Sequence, residues 1–291
     1  MTTSSGNISR PGVKSGHVAP VDPRSHGWIA SPRLLGVARD IGIKLIQLIV
    51  GLIVWHLFVK LLQLDPRIVP APLDVLWSIW AQTAGGWLFG AIWLTLQETL
   101  IGFVIGSVLG IALAVFLSEF PLIRGLLQPY IVALQAVPKV AVAPLFLIWF
   151  GFGIESKIAL VVSIMFFPVL VNTIAGLESV SEDQLELMRA YRATRLQILL
   201  RLKVFVALPY IFASFEVCLV LSLTAAVIAE MLGSGTTIGL GTLIRIFESR
   251  VDAAGIFAVL IVLSVIGVAL HATVLMAQRH FLAWRRVSDD K

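Results

Sequence analysis

Charge is what this chain of 291 residues most lacks. Asp, Glu, Lys and Arg together make up 13% of it, against roughly 25% in an average soluble domain. Hydrophobic residues fill 58% and the mean hydropathy is +0.95. So little charge cannot cover the surface of a soluble fold of this size. A cytosolic enzyme, a disordered protein and a nucleic-acid binder are thereby excluded. Cysteine is nearly absent as well. Cys218 stands alone, so no intramolecular disulfide framework and no cysteine metal cluster can form. Within its apolar run it reads as a small packing residue. The sequence has no Gly-x-x-x-x-Gly-Lys-Ser/Thr, hence no phosphate loop for ATP. His17, His26, His56, His271 and His280 lack metal-ligand spacing, and no nucleophile–base pair is visible. The chain is expected to be non-catalytic, with no cofactor or metal of its own.

What it has instead is long apolar runs. A helix needs about 20 largely apolar residues to span a bilayer. Six segments qualify: 41–62, 92–117, 126–150, 158–177, 209–232 and 253–277. The predicted fold class is all-α, a polytopic membrane protein of about six transmembrane helices. The third segment carries Pro129, Pro138, Lys139 and Pro144, so a kinked backbone shielded by neighbouring helices is expected there. The second places Gly102, Gly106 and Gly110 at every fourth position. Small residues on one face let another helix approach closely. Between the first two spans, Pro70 and Pro72 stop the helix, and a segment with Trp77, Trp80 and Trp87 follows. Tryptophan favours the headgroup level, so this segment is expected to lie flat on the outer surface.

Residues 1–32 are polar and proline-scattered and are expected to form a disordered cytoplasmic tail. Residues 33–284 form the transmembrane domain, and 285–291 a short cytoplasmic C-terminal tail. Six spans put both termini on one side. The loop 178–208 between spans four and five carries Arg189, Arg192, Arg195, Arg201 and Lys203, whereas the segments of the other side hold Arg67, Lys157, Arg245 and Arg250. Lys and Arg favour the cytoplasmic side, so this loop and both termini are expected there.

That loop is the most organised of the connections. Ser181-Glu182-Asp183-Gln184 and Thr194-Arg195-Leu196-Gln197 both fit the capping box, in which the hydroxyl and the Gln each satisfy a free backbone donor. Acids follow the first cap, as the positive end of a helix dipole favours. Two short helices, about 182–191 and 195–205, are predicted, with a break at Arg192 and Ala193. Length and double capping suit a solvated surface hairpin and a docking element for a soluble partner about equally.

The residues of this loop carry a resemblance. Glu186-Leu187-Met188-Arg189-Ala190-Tyr191-Arg192-Ala193 resembles the EAA loop of binding-protein-dependent ABC importer permeases, E-A-A-x3-G-x9-I-x-L-P. Glu186 takes the Glu position, Leu187 and Met188 the two Ala positions and Arg192 the Gly position. Leu202 to Phe205 take the place of I-x-L-P. Val137 to Phe146, Phe166 to Thr173 and Ala229 to Gly233 are similar to further segments of the nitrate/sulfonate/taurine branch, which includes permeases for pyrimidine- and flavin-type compounds. The resemblance covers roughly residues 65–285.

It implies a type I ABC importer permease fold, forming the pathway for a small solute in the bacterial inner membrane. It also implies a cytoplasmic ABC ATPase dimer that binds the ATP and grips Glu186, Leu187, Met188, Arg192 and Ala193. An extracytoplasmic solute-binding protein and a second permease subunit, expected to be an identical copy, complete the assembly. The alternative, a self-sufficient secondary transporter, calls for internal repeats, and none is visible.

Two departures matter. Arg192 replaces the motif's glycine and Phe205 its proline. Either the turn at 192 is left-handed, at a cost of roughly 1 kcal/mol for a residue with Cβ, which a bond from the guanidinium to an ATPase acid offsets; or it is right-handed and Thr194 alone starts the second helix. Charge within a bilayer marks a bundle interior or a cavity, which singles out Glu98, Lys139, Glu216 and Glu230. Lys139 either lines the pathway, favouring an anion, or pairs with an acid such as Glu216. Asn172 either faces the pathway or holds helices together. Glu230 either gates or positions helices, or sits at the interface.

Overall fold

The computed structural model describes residues 32–233 and 237–282, all in helices and the turns between them with no strand among them. The tails expected over 1–32 (Pro32 aside) and 285–291 lie outside the described residues. Residues up to Ile53 form one unit, described only as the helical stretch 32–53; residues from Val54 onward form the other. Everything below concerns the second.

Its scaffold is a set of long helices, α3 (Trp87–Glu119), α6 (Ile154–Glu178), α9 (Val204–Leu232) and α11 (Ala253–Phe281), each long and apolar enough to cross a bilayer. The tightest seam joins α3 to α6. Here the glycine ladder does what its spacing predicts. A Cβ on Gly106 would lie 2.9 Å from the Met165 Cβ, and one on Gly110 2.9 Å from the Phe166 carbonyl. Without side chains at these points the two backbones pack directly, and dispersion between close surfaces holds membrane helices where no hydrophobic drive exists. The same seam continues to α9, where Gly176 faces the Ala207 backbone. Buried Ala114, Leu117, Leu170, Ile174, Leu177, Leu199, Ala207 and Ile211 fill the end of this three-helix core nearest the 178–208 loop.

The shorter elements close the other end. α2 (Pro72–Ala84) starts at Pro72, and the Asp74 carboxylate accepts from the Ala71 N–H at 3.3 Å. Trp77 and Trp80 stack at 5.0 Å on its exposed face, as an amphipathic surface helix requires. Trp87 does not belong to that segment: the left-handed turn at Gly86 separates it, and it opens α3. α10 (Leu240–Ser249) is a strongly amphipathic short helix that buries Leu240, Leu243 and Ile244 against Leu88, Ala91, Val227 and Val259.

Two expectations need correction. The third span is broken, not kinked. α4 (Pro121–Ala136) ends at Val137–Pro138, and a 3₁₀ turn (Lys139–Val142) leads into α5 (Ala143–Phe150) at a bend of 84°. Pro138 has no N–H to continue α4 and disfavours helical backbone at Val137. Nor do the described residues shield α4, since they bury none of its residues. The second loop helix is also not separate. α8 (Arg195–Ile198) passes through a wide π turn (Leu199–Lys203) into α9, so that Arg195–Leu232 is one 38-residue helix. Pro209, which reads as the start of the fifth span, lies inside it.

Candidate functional site

The loop between α6 and α9 is built by its caps. α7 (Glu182–Ala190) begins where the Ser181 hydroxyl accepts from the Gln184 N–H at 3.4 Å and the Gln184 side chain accepts from the Ser181 N–H at 3.3 Å. Thr194 and Gln197 repeat the exchange at 3.3 and 2.8 Å at the start of α8. Both capping boxes read from the sequence are therefore present.

The turn between them resolves the question of Arg192. Its φ is +54°, in the left-handed region. The Arg192 N–H donates to the Arg189 carbonyl at 2.8 Å, and the Ala193 N–H reaches back to the Met188 carbonyl at 3.0 Å. This pair of bonds is a Schellman motif, whose left-handed position is usually glycine. A glycine in the resembled motif thus has a physical reason, and Arg192 occupies that strained position with a Cβ. The right-handed alternative is not the one the chain adopts. Phe205, in place of the motif's proline, sits within α9 and so retains a backbone N–H that proline would remove. Glu186 and Arg192 are exposed, Met188 and Ala193 half-buried. Leu187, Tyr191 and Leu196 are 58%, 79% and 63% exposed, apolar side chains that no described residue covers.

At the opposite end of the long helices lies a buried polar cluster of Thr95, Glu98, Lys157 and Glu230. Lys157 on α6 stands 3.1 Å from the Glu98 carboxylate on α3 and donates to the Thr237 hydroxyl at 3.3 Å. Beside them, the Glu230 carboxylate on α9 accepts from the Thr95 hydroxyl at 2.7 Å and from the Gly241 N–H at 2.6 Å. The Leu240 N–H donates to the Thr95 oxygen at 2.9 Å. Glu230 therefore receives the N-terminus of α10, whose free N–H groups and dipole favour a negative charge. Gly239 and Gly241 make room for it: a Cβ on Gly241 would meet the Glu230 Cβ at 2.9 Å and the Val227 carbonyl still closer, and one on Gly239 would overlap the carboxylate. Thr95, Glu98, Lys157 and Glu230 are all fully buried. The cluster ties four helices together.

Glu230, one of the singled-out residues, is thus enclosed, while Lys157, which reads as a loop residue, proves central. Its signal was available. Lys157 is in register with buried Leu160, Val161 and Met165, and Glu98 with Thr95, Gly102 and Gly106, so both charges fall on packed helix faces.

The other intramembrane candidates lie apart. Lys139 does not pair with Glu216. Its ammonium donates to the Leu134, Gln135 and Val137 carbonyls, the last two at 3.0 and 2.9 Å, and lies over the Phe167 ring at 4.9 Å. It caps the broken end of α4. Glu216 faces His271 at 3.7 Å. Asn172 is exposed, its amide donating to the Pro168 carbonyl at 2.8 Å, which leaves its own carbonyl free to accept.

Residues 106–281 match the family of the binding-protein-dependent transport system inner membrane component. The chain is 30% identical over 235 residues to the formylaminopyrimidine transport permease protein ThiX of Halalkalibacterium halodurans, across 81% of this chain and 92% of that protein. It is 31% identical over 258 residues to the riboflavin transport system permease protein RibX of Chloroflexus aurantiacus, across 87% and 95%. It is 27% identical to the taurine transport system permease protein TauC of Escherichia coli, across 85% and 91%. In fold it is similar to a chain of the MetNI methionine ABC transporter in an inward-facing conformation, with a TM-score of 0.60 at 18% identity over 67% of this chain and 95% of that one.

Proposed function

Since the chain belongs to the family of binding-protein-dependent transport system inner membrane components, we propose that its α7–α8 turn is where the ATPase of an importer takes hold. The chain itself is the membrane permease subunit of an ABC importer and forms the translocation pathway. It works with ATPase and binding-protein partners in a bacterial inner membrane.

The finer arrangement is our reading. A cytoplasmic ATPase dimer binds the ATP and grips one α7–α8 turn in each of two permease copies, so this chain carries out no chemistry. Glu186, Leu187, Met188, Arg192 and Ala193 form the grip, and both chain termini lie on that cytoplasmic side. A solute-binding protein delivers the solute to the opposite face. The solute is a small organic compound of the kind the relatives' names indicate, from sulfonate and taurine to pyrimidine and flavin types. Asn172 and the positive charge of Lys139 border the pathway, and Glu230 positions helices without touching solute.

The observation that supports the grip is the exposure of the apolar side chains Leu187, Tyr191 and Leu196 on either side of a turn closed by a Schellman motif and a capping box. Uncovered apolar patches mark contact sites, and a turn fixed by caps at both ends transmits a push without folding away. The test is Glu186→Lys. The variant is expected to reach the membrane at wild-type levels but to lose ATPase association and uptake. Normal uptake would contradict the reading.

A further inference from the structure

Two ion pairs frame the 178–208 loop. Glu178, the last residue of α6, pairs with Arg124 on α4. Lys203, where the π turn gives way to α9, pairs at 2.9 Å with Glu119, the last residue of α3. The two flanks of the α3–α4 turn thus hold the entrance and the exit of the loop, one each. All four side chains are partly exposed, and such pairs add little to stability. What distinguishes the two is what each one joins.

α3 is already fixed to its neighbours. The glycine seam packs it on α6, and Ala114 and Leu117 near its end are buried with Leu177, Leu199 and Ala207. Lys203 continues the stripe of buried Leu199, Ala207 and Ile211 at steps of four. The Glu119–Lys203 pair therefore lies within a body that packing holds together without it.

α4 is held differently. The described residues bury none of it. Leu127 and Ile131, both half-buried, touch the core along one narrow stripe, which Arg124 continues. At its far end the helix stops at Val137–Pro138 with the 84° bend. Element ends of this kind absorb the backbone changes of a hinge. Among the described residues, the one ion pair α4 makes is Arg124–Glu178, at the end away from the break.

We propose that Arg124 and Glu178 are positioning residues, whose pairing makes α4 follow the 178–208 loop when the ATPase moves it, whereas Glu119–Lys203 plays no such part. This rests on the grip reading above. Where a helix has two positions, a contact made in one of them decides the balance. One partly exposed pair can shift that balance by up to roughly fivefold.

The test follows α4 directly. Cys218 is buried and silent to water-soluble reagents, so a cysteine at the exposed Gln135 of α4 reports alone. The complete transporter carrying Gln135→Cys, in nanodiscs open to both faces, is reacted with a charged maleimide without nucleotide and with ATP and vanadate. The labelling rate is expected to differ between the two states. Adding Glu178→Gln is expected to shrink that difference by roughly fivefold, and Arg124→Glu with Glu178→Arg to restore it. Adding Glu119→Gln, which removes the other pair, is expected to leave it as in the parent. A parent rate that ignores nucleotide, a Glu178→Gln response equal to the parent's, or an equal loss with Glu119→Gln would each overturn the proposal. Leu187→Cys on α7 separates this outcome from failure of the grip. If the ATPase shields Leu187→Cys and Glu178→Gln still responds like the parent, the link alone is overturned. If the ATPase leaves Leu187→Cys unshielded, the grip reading falls and the link with it.

Discussion

Removing Lys157 is expected to damage the protein far more than removing Glu98, although the two are partners. At 3.1 Å and an effective dielectric constant near 20, their attraction is about 5 kcal/mol. The surroundings make the two ends unequal. The cluster holds two carboxylates, Glu98 and Glu230, and one ammonium, all fully buried. Lys157→Met leaves both carboxylates buried without a counter-charge, and breaking a buried pair in this way costs about 3–5 kcal/mol. Glu98→Gln keeps the shape and leaves one ammonium with one carboxylate, whose oxygens are already held by Thr95 and the Gly241 N–H. Its cost is expected to stay below about 2 kcal/mol, the worth of a charge-assisted bond. Removing both charges of the pair, as Glu98→Gln with Lys157→Met, leaves only Glu230, which Thr95 and the Gly241 N–H hold, and is expected to recover most of the loss. Unfolding of the four proteins in nanodiscs, followed by helix signal against denaturant, gives the cycle. A coupling energy of about 3 kcal/mol is expected. Additive effects, or a Glu98→Gln variant as unstable as Lys157→Met, would refute the reasoning.

Gly106→Ala is expected to cost about 1–3 kcal/mol in the same assay through overpacking of the α3–α6 seam, with Gly106→Leu failing to accumulate in the membrane; wild-type stability of either would remove the close approach from the account. Arg192→Gly is expected to raise permease stability by about 1 kcal/mol by relieving the left-handed backbone while weakening ATPase affinity. Unchanged affinity in that variant, measured with the purified ATPase, would mean that the guanidinium makes no contact worth the strain.

The long helices were legible because each is a long run of apolar residues, although α6 and α9 carry Pro168 and Pro209 inside them, and the α3–α6 seam because glycine at every fourth position clears one helix face. The caps of α7 and α8 were legible because a capping box is a local device. What escaped the sequence depends on tertiary context. The prolines of the third segment announced a kink, not the break with its 84° bend, at which Lys139 caps α4 and packs on Phe167. Pro209 looked like a helix start because proline suits a first turn. Inside a long packed helix its missing N–H is tolerated, since neighbouring helices shield the freed carbonyl. Lys157 looked like a loop charge beside Gly151 and Gly153, and only the partner Glu98, 59 positions earlier in the chain, makes its burial affordable. For the α7–α8 turn, the motif position of Arg192 was legible. Its φ of +54° was not, because a sequence can pose the choice between left- and right-handed turns without deciding it.

The central claim is that the turn between α7 and α8 is gripped by the ATPase. Its most direct measurement is a cross-link. A photo-reactive group attached at Leu187→Cys, on the exposed face of α7, and the same group at Trp77→Cys on α2 as the control at the opposite end, are compared in the assembled transporter. The account expects the ATPase to be captured from position 187 and not from 77, with the yield at 187 changing between nucleotide-free and ATP-bound states. Capture from 77, or none from 187 in an assembly that still hydrolyses ATP, would contradict it.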